Sequence, residues 1–291
     1  LRLFKPDAYI IVTTEDGRRV DLSGQDDKTG RRLDLSFIVE ATKDTQPNSG
    51  ECSIYNLTTD TRNAITAGAK IELFAGYDGD FKLVSIGDIK NVKNTREATG
   101  WTTAIYWGDG IGAYLEAKFV KSFREGVNVA DVFKELTSSF GLAVKSVTDE
   151  LKDQLNGTLS IDGKSKDLLN GLTKDYGLEW SIQDDEVRVV VKGKPIDDDV
   201  IVISAATGLV SSPQVTNRGV DFEVQLNPDL RPTKLIRIEA LSFITSAANK
   251  DVEKLKDKGG DGLYICEVVK FLGDNHGGRF SAKVTAKQYE Q

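Results

Sequence analysis

Histidine occurs once in this chain, cysteine twice and methionine nowhere. One histidine, with no cysteine motif near it, cannot assemble the usual zinc sites, which need several protein ligands. The two cysteines, Cys52 and Cys266, each fall in strand-like sequence. They read as two buried free thiols rather than a bridge, and they leave the redox compartment open. No apolar run approaches the length of about 18 residues that spans a bilayer, and no signal-peptide pattern opens the chain. Because the first residue is leucine, the native start is expected to be missing. Excess positive charge is lacking too: 38 Lys and Arg stand against 45 Asp and Glu, a net −7. That disfavours a duplex-binding protein, whose affinity needs clustered cations. It permits a local basic patch, or a channel that nucleic acid passes without sticking.

Catalytic motifs are also lacking. No serine sits in a G-x-S-x-G elbow. Gly108-Asp109-Gly110-Ile111-Gly112 has no Lys-Ser/Thr after it and precedes no convincing βαβ helix, so neither a P-loop nor dinucleotide binding is expected. Asp184-Asp185-Glu186 and Asp197-Asp198-Asp199 lack the spacing of a calcium loop and read as solvated turns. His276 lies in a glycine-rich turn and reads as a turn or interface residue. Glu72, Asp88 and Glu179 would serve as glycosidase carboxylates only if the fold paired two of them, and the sequence picks out no pair. The basic residues Arg31, Arg32, Lys90, Lys93, Arg96, Lys118, Lys121 and Arg124 are interrupted by acids and lack interleaved aromatics. They read as a solvated face or a charged subunit interface rather than a single-strand platform. No catalytic, cofactor-binding or metal-binding residue is therefore assigned.

What is present is a chain of 291 residues, 29% charged and 39% hydrophobic, the balance of a soluble globular protein with two or three domains. Its middle, residues 127–192, is the most legible part. Val129, Val132, Phe133, Leu136 and Phe140 form one apolar stripe of a helix. Asn128 is its expected N-cap, Asp131 favours its first turn, and Gly141 is the expected left-handed stop. A second helix is expected from Ser165 as N-cap, with Leu168, Leu169, Leu172 and Tyr176 as its stripe and Gly177 as its stop. Gly171 weakens that helix by about 1 kcal/mol relative to alanine; it permits close packing or has no role. Trp180 and Ile182 then alternate in a strand, 183–186 turns the chain, and 187–191 returns. A helix pair on a small sheet is the simplest packing of these elements.

The flanks read as β-rich. Strands are expected at 9–13, 33–39, 51–55, 70–75, 81–92 (one or two, broken near Gly87) and 102–107, with a short helix capped by Thr59 or Asp60. Glycine-rich turns between them point to an antiparallel barrel or sandwich. Further strands are expected at 200–204, 220–226, 235–240, 263–272 and 280–286. The charged stretch 246–262 reads as a surface helix or a long loop. The expected class is α+β, mainly β: a first antiparallel β-barrel domain at 1–120, a small α+β domain at 121–198, and a second β-barrel at 199–291.

Three passages resemble the baseplate or tail hub proteins of tailed bacteriophages and related contractile injection systems. They are IELFAGYDGDFKLVSIGDI from Ile71; SFREGVNVADVFKELTSSFGLAV with LSIDGKSKDLLNGLTKDYGLEW; and NRGVDFEVQLNPDLRPTKLIRI with LYICEVVKFLGDNHGGRFSAKVTA. The likeness spans about residues 30–290. It implies tail-tube-like barrels flanking a small mixed domain, and a structural, non-enzymatic role in the virion tail baseplate, assembled in the host cytoplasm. It implies a homotrimeric ring at the distal end of the tail tube, adapting a sixfold tube to a threefold spike. The implied partners are the tail tube or distal tail protein, the central spike, the tape-measure protein and baseplate wedge proteins, with genome DNA only in transit. An acidic channel lining would repel that DNA. The loops at 44–50 and 246–262 are candidate contacts. Family members carry a histidine in the last hairpin where this chain has Val268-Val269-Lys270-Phe271; His276 sits in the loop instead, which weakens any role based on it. A carbohydrate-binding or adhesion module is the alternative, expected to show clustered surface aromatics among Trp101, Trp107 and Trp180. A cell-wall hydrolase is a third, expected to show converging carboxylates.

Overall fold

The structure is a computed structural model that describes residues 5–24, 32–98, 100–146, 151–216, 219–240, 242–245 and 262–289. Arg31 and nearly all of the charged stretch 246–262 lie outside the described residues. The N-terminal segment holds β1 (Pro6–Thr13), β2 (Arg19–Asp21), β3 (Leu35–Thr42), β4 (Ser49–Tyr55), α1 (Thr59–Ala64), β5 (Lys70–Tyr77), β6 (Asp80–Glu97) and β7 (Gly100–Gly108). The middle holds α2 (Ile111–Glu116), β8 (Lys118–Phe123), α3 (Val129–Ser138), β9 (Ala143–Ser146), β10 (Leu159–Lys164), α4 (Ser165–Asp175), β11 (Leu178–Gln183) and β12 (Glu186–Val191). The last segment holds β13 (Val200–Ser204), β14 (Gln214–Thr216), β15 (Gly219–Gln225), β16 (Leu235–Glu239), β17 (Ile244–Thr245), β18 (Gly262–Asp274) and β19 (Ser281–Gln288).

The class is α+β and mainly β, as the sequence indicates. Two closed barrels are not what forms. Among the described residues the two β-rich segments share one open sheet of 14 strands, in the order β17-β14-β15-β19-β18-β3-β4-β7-β6-β5-β1-β2, with β16 on β18 and β13 on β16. The join is antiparallel pairing of β18 with β3, from Val268↔Thr42 to Asp274↔Ser36.

β6 and β18 play the same part in the two halves. The first half of β6 pairs with β5 and the second with β7. The first residues of β18 pair with β16 and the rest with β3. Each changes partner near a bulge, at Lys90 in β6 and Glu267 in β18, where the register slips by one residue. A bulge bends and twists its strand, which lets one strand serve two sheet layers. So 81–92, expected to break near Gly87, lies within one long strand that bends instead.

Alternation along β3 buries Leu35, Phe37 and Val39, and one continuous core runs through both β segments, with Trp107 and Phe271 among its fully buried rings. Gly50 is required there, since a Cβ would fall 2.0 Å from the Trp107 indole. Cys52 and Cys266 are free and buried. Burial pushes both thiols up, Cys266 to about 12.

The middle has its own core, built from Val129, Phe133, Leu136, Leu169, Trp180, Ile182 and Val187. Asn128 caps α3 by accepting from the Ala130 amide, and Gly141 has φ +68. Two caps differ from expectation. Thr58, not Thr59 or Asp60, caps α1. Lys164 occupies the N-cap of α4, and Ser165 is its first residue, its hydroxyl accepting from Ser139 at 2.8 Å. Gly171 is exposed with open space about it, so it does not serve close packing. β11, β12 and β9 form a three-stranded sheet, while β8 and β10 make a separate two-stranded ribbon.

Candidate functional site: a polar junction between body and middle

The Gly108–Gly112 turn, unremarkable as a motif, leads directly to the centre of the molecule. Gly110 takes φ +54, and a Cβ there would meet Ile182 and Leu142 at 3.0 Å. That close approach buries the preceding Asp109 against the β11–β12 hairpin. Asp184 and Asp185 form the tip of this hairpin with φ +55 and +60, which aims their amides inward. Asp109 accepts from both, at 2.5 Å (Asp184) and 2.7 Å (Asp185). Asn48 donates to Gln183 Oε1 at 2.8 Å and to Asp109 Oδ2 and the Ile182 carbonyl at 3.3 Å. Gln183 donates to the Thr42 carbonyl at 2.6 Å, and Asn48 Oδ1 accepts from the Thr42 amide at 2.8 Å.

Charged groups surround this knot. Lys70 pairs with Asp185 and lies 3.7 Å from Asp88. Arg231, from the last segment, reaches Asp184 at 2.8 Å and the Leu83 carbonyl at 2.9 Å. Lys43 sits between Glu267 at 2.9 Å and Glu179 at 3.6 Å. Asp197 is held by Lys234 at 2.7 Å and Lys145 at 3.4 Å. The 184–186 turn is therefore a structural clamp rather than a solvated turn, and only Asp198 and Asp199 of the second acidic run are exposed. The contacts of Asn48 with Gln183, Lys70 with Asp185, Arg231 with Asp184 and Lys43 with Glu179 tie the middle to the two β segments, so the cluster fixes how the middle sits on the sheet. Little in the sequence signals this. A glycine-flanked aspartate and a β-turn of two aspartates are ordinary surface features until burial is known.

Burial pushes the Asp109 carboxyl up to about 7, with the charges of Asp184 and Asp185 adding to the shift and their amides opposing it. Burial also disfavours the Lys70 ammonium, but Asp185 outweighs it and raises that pKa. Between about 7 and the ordinary 3.8, the folded chain holds a proton at Asp109 that the unfolded chain has released. Stability from this group therefore grows as pH falls through that window and is lost as pH rises through about 7. For Asp197, burial is outweighed by Lys234 and the pKa falls; for Glu223, the Arg279 hydrogen bond leads the lowering. Their contributions hold above the usual carboxylate range and are lost only in stronger acid. Urea melts at about pH 8 and about pH 5.5 are expected to show a gain on the order of 2 kcal/mol at the lower pH. Asp109→Asn is expected to flatten that difference; an unchanged difference would place the titration elsewhere.

The other sequence candidates lie apart from the junction or are tied by local ion pairs. Asp88 accepts from the Gly112 amide at 3.2 Å and faces Lys70, Glu179 faces Lys43, and Glu72 lies on β5. Among the described residues, no group of three His, Cys, Asp or Glu side chains is placed to hold a metal ion. His276 Nδ1 lies 2.5 Å from Asp34 at the surface. His276→Ala is expected to shift stability by no more than about 0.5 kcal/mol and to leave assembly intact; a loss of assembly with a normal fold would contradict this. Trp107 and Trp180 are buried and Trp101 lies under Arg62, so these three form no exposed aromatic cluster. No helix among the described residues is long and apolar enough to cross a membrane.

Solved structures of phage tail proteins share this fold. The chain is similar to the 43 kDa tail protein of prophage MuSo2 from Shewanella oneidensis, with TM-score 0.61 and 10% identity over 98% of this chain and 100% of that one. It is similar to the tail protein from Neisseria meningitidis MC58, with TM-score 0.61 and 11% identity over 97% and 96%. It is also similar to the E. coli c3393 protein, a type VI secretion component with structural similarity to T4 tail proteins gp27 and gp5 (TM-score 0.55, 8% identity, 90% and 76% covered). Neither a family model nor a curated protein sequence matches the chain.

Proposed function

We propose that this chain is a non-enzymatic structural component of a phage tail or related injection machine, and within it the baseplate hub. Three copies would form a ring at the distal end of the tail tube, with the two β segments of each copy supplying six tube-like positions around a channel. The observation that carries this reading is the β3–β18 join, which makes both β segments present one continuous sheet face. That face is polar along β15, β19, β18 and β3, where Glu223, Lys283, Lys270 and Glu40 fall in one row. Lys270 lies 3.1 Å from Glu40, and Glu223 pairs with Arg279. The row carries both signs, with Glu223 and Glu40 on either side of Lys283 and Lys270, rather than being acidic throughout. Cations paired in this way offer phosphates no continuous track, which suits a surface that DNA passes. The tail tube, spike, tape measure and wedge proteins would meet the rims of the ring, with the loop at 44–50 as one contact. Light scattering is expected to give three times the chain mass of 31.9 kDa. A monomer at every concentration would count against the ring.

A further inference from the structure

Among the edge strands that carry exposed apolar side chains, β13 and β8 are flanked by opposite charge. Among the described residues β13 pairs with β16 alone, and Thr207 bonds the Val202 carbonyl and the Ser204 amide at its end. Its sequence, VIVIS, is apolar on both faces: Ile201 and Ile203 pack on the core, while Val200 and Val202 are 39% and 36% exposed. A strand apolar on both faces suits a position covered on both sides, and an apolar edge left open invites pairing. Acid flanks this edge, since Asp198 and Asp199 precede it and the Asp199 side chain is 89% exposed.

β8 is its complement. Among the described residues it pairs with β10 alone. Val120, at 72%, is the most exposed large apolar side chain among the described residues. Lys118 and Lys121 flank it, and Lys118 lies directly opposite Lys164 across the ribbon. Like charges placed opposite each other destabilise a strand pair, and a two-stranded ribbon is marginal by itself. An acidic apolar strand laid beside β8 relieves both.

We infer that β8 of one copy docks on β13 of the next. The open edges exchange main-chain hydrogen bonds, Val120 packs on Val200 and Val202, and Lys118 and Lys164 face Asp198 and Asp199. Because the two surfaces differ, the contact is heterologous, and it closes a ring where its rotation returns to the first copy. The inference rests on the ring reading above and names the strands that close it.

Val120→Cys and Val200→Cys, each made in the full chain, are to be mixed and oxidised. The buried Cys52 and Cys266 give no background. Cross-linked pairs are expected about a hundredfold above those from Val120→Cys mixed with Ile244→Cys, since a docked pair reacts at raised effective concentration. Lys118→Glu is expected to weaken self-association about tenfold, and Asp198→Lys with Asp199→Lys in the same chain is expected to restore it. A trimer by light scattering without the 120–200 cross-link overturns this inference and leaves the ring reading standing. A monomer without the cross-link overturns both.

Discussion

Replacing Asp109 with alanine is expected to lower the unfolding free energy by about 3 to 5 kcal/mol. The side chain accepts from the Asp184 and Asp185 amides and from Asn48, and all three donors would lose it. A buried donor without a partner costs about 1 to 3 kcal/mol, and the three are not additive. The loss should be local first. Hydrogen exchange is expected to speed up at residues 183–186 and 43–48 before it changes in α3 or β3. A loss under about 1 kcal/mol, or uniform exchange, would mean that the junction does not hold the middle on the sheet.

Leu136→Asp is expected to unfold the middle. Leu136 is fully buried in α3 beside Phe133 and has no cationic partner in its core. An isolated carboxylate placed there must ionise without water or take up a proton, and either route costs more than about 4 kcal/mol. We propose that 121–198 is a unit with boundaries of its own, so Trp180 should become solvent-exposed by fluorescence while Trp107 stays buried. Intact packing around Trp180, with normal assembly, would contradict the placement of that helix.

The helix α3 and the strand β3 could be read from sequence because their apolar periods are local and long enough to register. The ribbon of β8 and β10 could not. KFVKSF mixes lysines into a short run, and its partner begins 36 residues after it ends, from Phe123 to Leu159. The β3–β18 pairing was hidden for the same reason on a larger scale. Nothing in a strand's own residues names a partner some 230 residues away, as Glu40 and Lys270 are. The junction was hidden for another reason. Asp109, Asp184 and Asp185 look solvated by composition, and the packing of Gly110 against Ile182 accompanies the burial of Asp109 and the half-burial of the other two. The helix caps at Thr58 and Lys164 moved by one residue, because neighbouring polar residues offered competing starts.

In the proposed ring each chain supplies two tube-like positions about a threefold axis. Class averages of the assembled particle by electron microscopy test it most directly. The expected particle is a ring with an open centre, a sixfold repeat in the layer formed by the β segments and a threefold repeat in the layer formed by the middle units. A closed particle, or a ring in which both layers share one symmetry, would contradict it.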